Sequence, residues 1–365
     1  MASVFDASTI KSLTLANRFI RSATGTNLAT DQGEVTPEIT GHIMELVEGG
    51  VGLIITGHAN VHLSGRNSAT QLGIYNDSHI PGLSQMVKKV HQYDGKIVAQ
   101  LNHGGAQSDS NVNGGTLLSP SIMPETKGKF ADVQATTSMT QTDIDEILKA
   151  FRDGAVRAKK AGFDGVQLHS AHGFLFSSFL SPFFNKRTDS YGGDVTNRTR
   201  IIVDAYEEVR KAVGEDYPVL IKMNATDFLD PELSREEAVE AAVIFDNAGF
   251  DSIELSGGTM WGLRIFGDIN RTPCRNVDSD AYYLETARLL KQRVEAPIIL
   301  TGGIKSFDVA ERIIRDGVAD YIGLCRPLIR EPDLVNRWKS GDTSRSPCID
   351  DNACLFKGGG KCYQI

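Results

Sequence analysis

Two imidazoles three residues apart, His169 and His172, stand where the apolar run opened by Gly165-Val166-Gln167-Leu168 should end. Gly173, an apolar run to Leu180 and the polar loop Asn185-Lys186-Arg187-Thr188-Asp189 follow, closed by Tyr191-Gly192-Gly193. Neutral imidazoles can ligate a metal, but no third carboxylate or cysteine ligand stands beside this pair. They can also aim hydrogen-bond donors at one carbonyl or phenolate oxygen and hold negative charge as it develops there, which suits the setting better. Two histidines at a strand's carboxyl end, on a turn leading into an apolar lid, is how an α/β barrel carries its chemistry.

The rest of the chain supplies the elements to position them. Short apolar runs rich in β-formers recur at Phe19–Ser22, Val51–Gly57, Ile97–Asn102, Gly165–His169, Val219–Asn224, Ser252–Ser256, Ile298–Gly302 and Tyr321–Leu324. Amphipathic helical patterns lie between them, including Ile80–Tyr93, Thr142–Ala161, Asn197–Val213, Ser234–Ala248, Tyr282–Val294 and Phe307–Asp316. Thr142 with Asp145, Ser234 with Glu237, and Ser306 with Asp308 in the first turn read as helix starts. Continuously apolar strands separated by helices are parallel and buried on both faces. Eight such units predict a (β/α)8 TIM barrel. An open doubly wound sheet would put a glycine fingerprint after its first strand, and Ser22-Ala23-Thr24-Gly25-Thr26 is not one. The stretch from Gly104 to Thr140 reads as an elaborated loop or hairpin over the mouth. Residues 1–340 are expected to form one barrel domain and 341–365 a tail.

The strand ends gather polar groups: Ser22, Ala23 and Thr24, then Gly57, Gln100, Asn102 and His103, His169 and His172, Lys222 and Asn224, Glu254 to Gly258, Gly302 and Gly303, and Cys325 with Arg326. Loops after strands seven and eight, with the amides of a helix start, form the habitual phosphate site of these barrels. Gly302 and Gly303 would let backbone amides approach, and Arg326 would add a charged fork. A phosphate at one side and Gln100, Lys222 and the histidines at the centre suggest a long phosphorylated cofactor. Lys222 could form a Schiff base. Alternatively it is a cation opposite an electron-rich carbonyl; near N1 and O2 of a flavin it would stabilise the reduced ring. Gln100 can both donate to and accept from a pyrimidine-like edge.

The chain has 365 residues and a formal net charge of −8, which argues against nucleic acid or an acidic membrane surface as partner. The first residues show no signal peptide, no run is long enough to span a bilayer, and a soluble cytoplasmic protein is expected. Of the five cysteines, Cys348, Cys354 and Cys362 crowd the tail, and an odd total speaks against a disulfide framework.

These residues resemble the old yellow enzyme family of FMN-dependent ene-reductases, most of all its bacterial NADH:flavin oxidoreductases. The likeness runs through Asn17-Arg18, Gln100-Leu-Asn-His-Gly-Gly, His169-x-x-His172-Gly, Phe179-Leu-Ser-Pro, Asn185-Lys-Arg-Thr-Asp-x-Tyr-Gly-Gly with Asn197-Arg198, Gly302-Gly303 and Arg326-Pro327. It implies FMN across the mouth, with NADH or NADPH as reductant. Ser22, Ala23, Thr24 and Gly25 would line the flavin, Gly57 would sit at its edge, Gln100 at the pyrimidine ring and Lys222 near N1 and O2. Gly303, Cys325 and Arg326, beside Gly302, would take the phosphate. His169 and His172 would bind the oxygen of an α,β-unsaturated carbonyl, which receives hydride at its β-carbon, and Asn27 and Phe174 would line the substrate. The partner is thus a small molecule, and a homo-oligomer is expected.

Departures from the family pattern carry information. Phe174 stands where the family has a proton-donating tyrosine, which opens isomerisation or dehydrogenation of a cyclic enone or dienyl substrate as an alternative to reduction. Gly25 replaces a cysteine or threonine, with the loss of a hydrogen bond to the flavin. Lys222 replaces an arginine. The tail resembles the start of an iron–sulfur segment of larger relatives, but three cysteines cannot complete a four-thiolate cluster, and it reads as a vestige with no metal.

Overall fold

The computed structural model describes residues 2–115, 117–129, 132–266, 280–356 and 360–364. Residues 116, 130, 131 and 357–359, which fall in the insertion and the tail discussed above, lie outside these. The chain opens with a hairpin, β1 (Ser8–Ile10) and β2 (Leu13–Leu15), paired antiparallel. Then come β3 (Phe19–Arg21), β4 (Leu53–Ile55), β5 (Ala59–Asn60), β6 (Ile97–Asn102), β7 (Leu118–Ser119), β8 (Thr137–Ser138), β9 (Gly165–Ser170), β10 (Val219–Asn224), β11 (Ile253–Ser256), β12 (Ile298–Thr301) and β13 (Tyr321–Leu324).

The order β4-β3-β13-β12-β11-β10-β9-β6, all parallel, closes on itself through a β4–β6 pairing. This is the expected (β/α)8 barrel, with strands within one or two residues of the sequence reading. Period-two alternation sends every second side chain into the lumen. Ile20, Leu53, Ile55, Val98, Leu220, Ile299 and Tyr321 form an apolar layer there, packed on Ile10, Leu13 and Leu15 of the hairpin, which floors the barrel. One step further along the same strands the lumen turns polar, at Ser22, Gln100, Gln167, Lys222, Glu254 and Thr301.

Aspartates hold the strand register. Asp164 accepts the Ile97 amide at 2.8 Å, Asp251 the Val219 amide at 2.8 Å, and Asp320 the Ile298 amide at 2.8 Å. Each sits just ahead of the neighbouring strand and satisfies an amide that would otherwise start its own strand unpaired. Arg210 reinforces one of them with a 2.6 Å contact to Asp251.

Some local expectations need correction. Helix Gln141–Ala161 is capped two residues earlier than read: Thr140 and Asp143 form the capping box, leaving Thr142 and Asp145 inside. Ser306 stands at the N-cap of its helix as read, but its hydroxyl donates to Asp280 in place of accepting a helix amide. The helix placed from Tyr282 begins at Leu284, because both tyrosine rings turn onto Gly302 and Gly303. The apolar run after Gly173 is no lid. Leu175–Leu180 is a helix with all six residues buried, and its Phe176 stacks on Phe151 at 4.3 Å. The Gly104–Thr140 insertion holds β7 and β8 as a parallel pair and, between them in the chain, an antiparallel bridge of Thr126 with Val133.

Candidate active site

His169 is the penultimate residue of β9, and its Nδ1 accepts the Ala171 amide at 3.3 Å, so the proton resides on Nε2. His172 is held at φ 63°, a left-handed conformation that tips its ring back toward its neighbour. Three contacts keep it there. Its amide donates to Asn224 Oδ1 at 3.0 Å, its carbonyl accepts from Gln107 Nε2 at 2.8 Å, and its Nε2 meets Ser256 Oγ at 2.8 Å. The two rings stand edge to face with centroids 5.3 Å apart. Burial first, then neighbouring charge, holds both imidazoles well below the usual histidine range. They are neutral donors at neutral pH.

Beneath them one carboxylate organises the polar layer. Glu254 is fully buried on β11. It accepts from Ser22 Oγ at 2.6 Å, Thr301 Oγ1 at 2.8 Å and Gln167 Nε2 at 2.8 Å, and its Oε1 lies 3.0 Å from Lys222 Nζ. Lys222 donates to Ser22 Oγ at 2.7 Å, and Gln100 Nε2 donates to Gln167 Oε1 at 2.7 Å. Burial alone would raise the Glu254 carboxyl, but the Lys222 charge and the hydrogen bonds from Ser22 and Gln167 outweigh it and hold it below the usual range. Three residues singled out by sequence (Ser22, Gln100 and Lys222) therefore share one anchor. Gln167 and Glu254 were not assigned roles; alternation along β9 and β11, which puts them on the same face as His169 and Lys222, is the signal that marks them.

A third imidazole joins the histidine pair. His58 lies 6.2 Å from the His169 ring and 5.1 Å from Phe174, whose ring is tilted against His169 with centroids 4.9 Å apart. A Cβ on Gly25 would come within 2.6 Å of His58 Cε1, so this ring fills the space that a side chain at position 25 would take. Asn67 Nδ2 donates to His58 Nε2 at 3.1 Å, which places the proton on Nδ1. Burial, then Lys222, pushes this imidazole down to about 4. Strand phase hides His58 from sequence reading: inward positions on β4 are odd, but the strand stops at Ile55 and the chain turns.

Other candidates fall into place around this centre. Gly57 is required by closeness, since a Cβ there would meet the Thr24 carbonyl at 2.6 Å. Asn27 is exposed at φ 53° and lines, with Leu46, His42 and His58, a cavity bounded by helices Pro37–Glu48 and Ile80–His91. Cys325 Sγ meets Thr24 Oγ1 at 3.0 Å. Gly302 and Gly303 hold φ of 122° and 79°. Arg326 is turned toward the tail: its Nη1 is 3.1 Å from Asp350 Oδ1 and 3.1 Å from Asn352 Oδ1, while Lys305 Nζ is 2.5 Å from Asp350 Oδ2. The tail is thus docked by a carboxylate onto the basic niche beyond β12 and β13. Among the described residues, no three His, Cys, Asp or Glu side chains converge as metal ligands.

A family model described as NADH:flavin oxidoreductase / NADH oxidase matches residues 3–344. The chain belongs to that family, which includes old yellow enzyme. It is 33% identical over 365 residues to the NADH oxidase of Thermoanaerobacter brockii, covering 99% of this chain and 54% of that protein. It is 32% identical over 333 residues to an NADPH dehydrogenase of Clostridium acetobutylicum, covering 91% and 93%. An old yellow enzyme homologue from Zymomonas mobilis shares the fold with a TM-score of 0.80 at 24% identity over 96% of both chains. So does a 2-naphthoyl-CoA reductase in complex with 2-naphthoyl-CoA, with a TM-score of 0.89 at 24% identity over 99% of this chain and 56% of the other. The chain spans about half the length of the Thermoanaerobacter NADH oxidase.

Members of this oxidoreductase family use FMN with NAD(P)H as reductant. The residues here fit such a group. A buried ammonium and a buried amide offer partners for the pyrimidine side of a flavin, Gly57 leaves its edge clear, and at the far end Lys305 and Arg326 are two cations sharing the one Asp350 carboxylate, which leaves a net positive charge there. Beside Gly25 this chain places the His58 imidazole, carried on the loop between β4 and β5.

Proposed function

We propose that this chain is an FMN-dependent NAD(P)H oxidoreductase that reduces the activated C=C bond of an α,β-unsaturated carbonyl compound. The observation that carries the reading is the pair of neutral imidazoles, His169 and His172, fixed at the barrel mouth above the buried Lys222 and Gln100. FMN, when bound, would accept hydride from NAD(P)H and return it to the substrate β-carbon. Lys222 and Gln100 would face its pyrimidine side, the Ser22–Gly25 segment and Gly57 its ring, and Gly302, Gly303, Cys325 and Arg326 its phosphate. His169 Nε2–H, and His172 Nδ1–H when Ser256 donates to Nε2, would bind the carbonyl oxygen. Because burial keeps both rings neutral, they polarise that oxygen by hydrogen bonding without giving up a proton.

Phe174 supports a second reading, isomerisation or dehydrogenation of a cyclic enone or dienyl substrate. Its ring sits against His169 and His58 and has no hydroxyl to protonate an α-carbon. An anaerobic stopped-flow experiment separates the two. NADH or NADPH should bleach the yellow protein, and cyclohexenone should restore the colour if net reduction is the activity. Bleaching without recolouring favours the second reading, and a colourless protein that does not take up FMN overturns both.

A further inference from the structure

The buried carboxylate of Glu254 has no part in the chemistry above, yet Ser22, Lys222 and, through Gln167, Gln100 all lead to it. We propose that Glu254 is a positioning residue that cancels the charge of Lys222 and thereby keeps the bound flavin a strong reductant; this rests on the FMN reading. The two groups occupy the same register on adjacent strands, Lys222 opposite Glu254, with Nζ and Oε1 3.0 Å apart and both side chains removed from solvent. A lone ammonium there would attract the negative charge that a flavin gains on reduction. Hydride from NAD(P)H brings two electrons and one proton and leaves NAD(P)+, so the ring becomes more negative on its pyrimidine side.

With Glu254 beside it, the ammonium belongs to a neutral pair and its hold on the reduced ring weakens. The remaining groups make that neutralisation permanent. Ser22, Thr301 and Gln167 donate three hydrogen bonds to the carboxylate, which together with the Lys222 charge keep it ionised in the buried lumen. Room for this is built in: the strand opposite Thr301 carries Gly323, where a Cβ would collide with the Thr301 hydroxyl. The chain Gln100–Gln167–Glu254 also fixes the Gln100 amide nitrogen as a donor to Gln167, leaving its other hydrogen and its oxygen for the ring.

The test is the ratio of affinities for reduced and oxidised FMN, read as the midpoint potential of the reconstituted holoprotein. Glu254→Gln should favour the reduced form about tenfold, a rise of ~30 mV for a two-electron couple. Glu254→Asp, which keeps the charge, should stay within about threefold of the parent on the same scale. The double variant Lys222→Met/Glu254→Gln removes both charges and should also stay within about threefold, which keeps the test open if Glu254→Gln alone does not fold. An unchanged or lower potential in Glu254→Gln overturns the proposal, as does a rise in Glu254→Asp equal to that of the glutamine variant, or a tenfold loss in the double variant. If the parent protein takes up no FMN, the cofactor reading has failed instead.

Discussion

Replacing Lys222 by methionine should leave Glu254 as an uncompensated charge in the barrel lumen. The side chains of the pair are 3% and 0% exposed and their charged atoms 3.0 Å apart. At an effective dielectric constant of ~20 that separation corresponds to roughly 5 kcal/mol of attraction. Removing one member of a buried pair typically costs about 3–5 kcal/mol. Hydrogen bonds from Ser22, Thr301 and Gln167 survive the change, so the lower end of that range, about 3 kcal/mol at neutral pH, is the expected loss for the FMN-free protein. The pH dependence should reverse sign. In the parent, the Glu254 carboxyl lies below its ordinary value of 4.5, so its stabilisation is present above that value and fades as pH falls through the folded value. Without Lys222, burial dominates and lifts the carboxyl above 4.5, so the variant's deficit is greatest near neutrality and shrinks toward about pH 5. Urea unfolding of the two single variants and the double, from about pH 5 to about pH 8, measures this. The double variant should lose less than the sum of the singles by about 2 kcal/mol or more. Additive losses, or a Lys222→Met deficit that ignores pH, would refute the coupling.

Other expectations bear on the mouth of the barrel. Phe174→Tyr should speed enone-driven recolouring of the reduced protein by about 100-fold or more, the low end of what a placed general acid contributes; an unchanged rate would show that α-carbon protonation does not limit turnover. Gly25→Ala pushes a methyl group to within 2.6 Å of His58 Cε1. It should cost about 1–3 kcal/mol by thermal unfolding and become nearly neutral in a His58→Ala background; equal costs in both backgrounds would mean the clash is elsewhere. Burial drives His42 and His58 down to about 4 and His103 to about 3. Below the ordinary value near 6.5 the unfolded chain takes up protons that the native one refuses, so each site costs up to ~1.4 kcal/mol per pH unit. Denaturant midpoints should therefore fall steadily from about pH 6.5 to about pH 4, and a flat profile would show that these rings accept protons without unfolding.

The barrel was legible because its strands are buried on both faces, and buried parallel strands write themselves as short apolar runs. His169, Lys222 and Gln100 were legible as polar residues at the ends of such runs. Gln167 and Glu254 were harder: each interrupts an apolar run, and its meaning depends on partners on other strands brought near by closure. His58 required knowing that β4 ends at Ile55, and the Thr140 cap required choosing among three polar residues in a row. The docking of Asp350 between Lys305 and Arg326 is a tertiary event with no local signature, since an aspartate in a cysteine-bearing tail looks the same whether docked or free.

The polar layer also proofreads assembly. Lys222, Glu254, Thr301, Ser22, Gln100 and Gln167 come from six different strands or strand ends, and each faces the lumen only in the native register. A slip of one residue in β11 would swing Glu254 outward among the helices and put Leu255 opposite the ammonium. In apolar strands such a slip exchanges one aliphatic contact for another at little cost. Here it would strand two opposite charges on opposite faces of the wall. A barrel that closes out of step therefore leaves these charges unpaired, and the polar layer discriminates against misaligned folds.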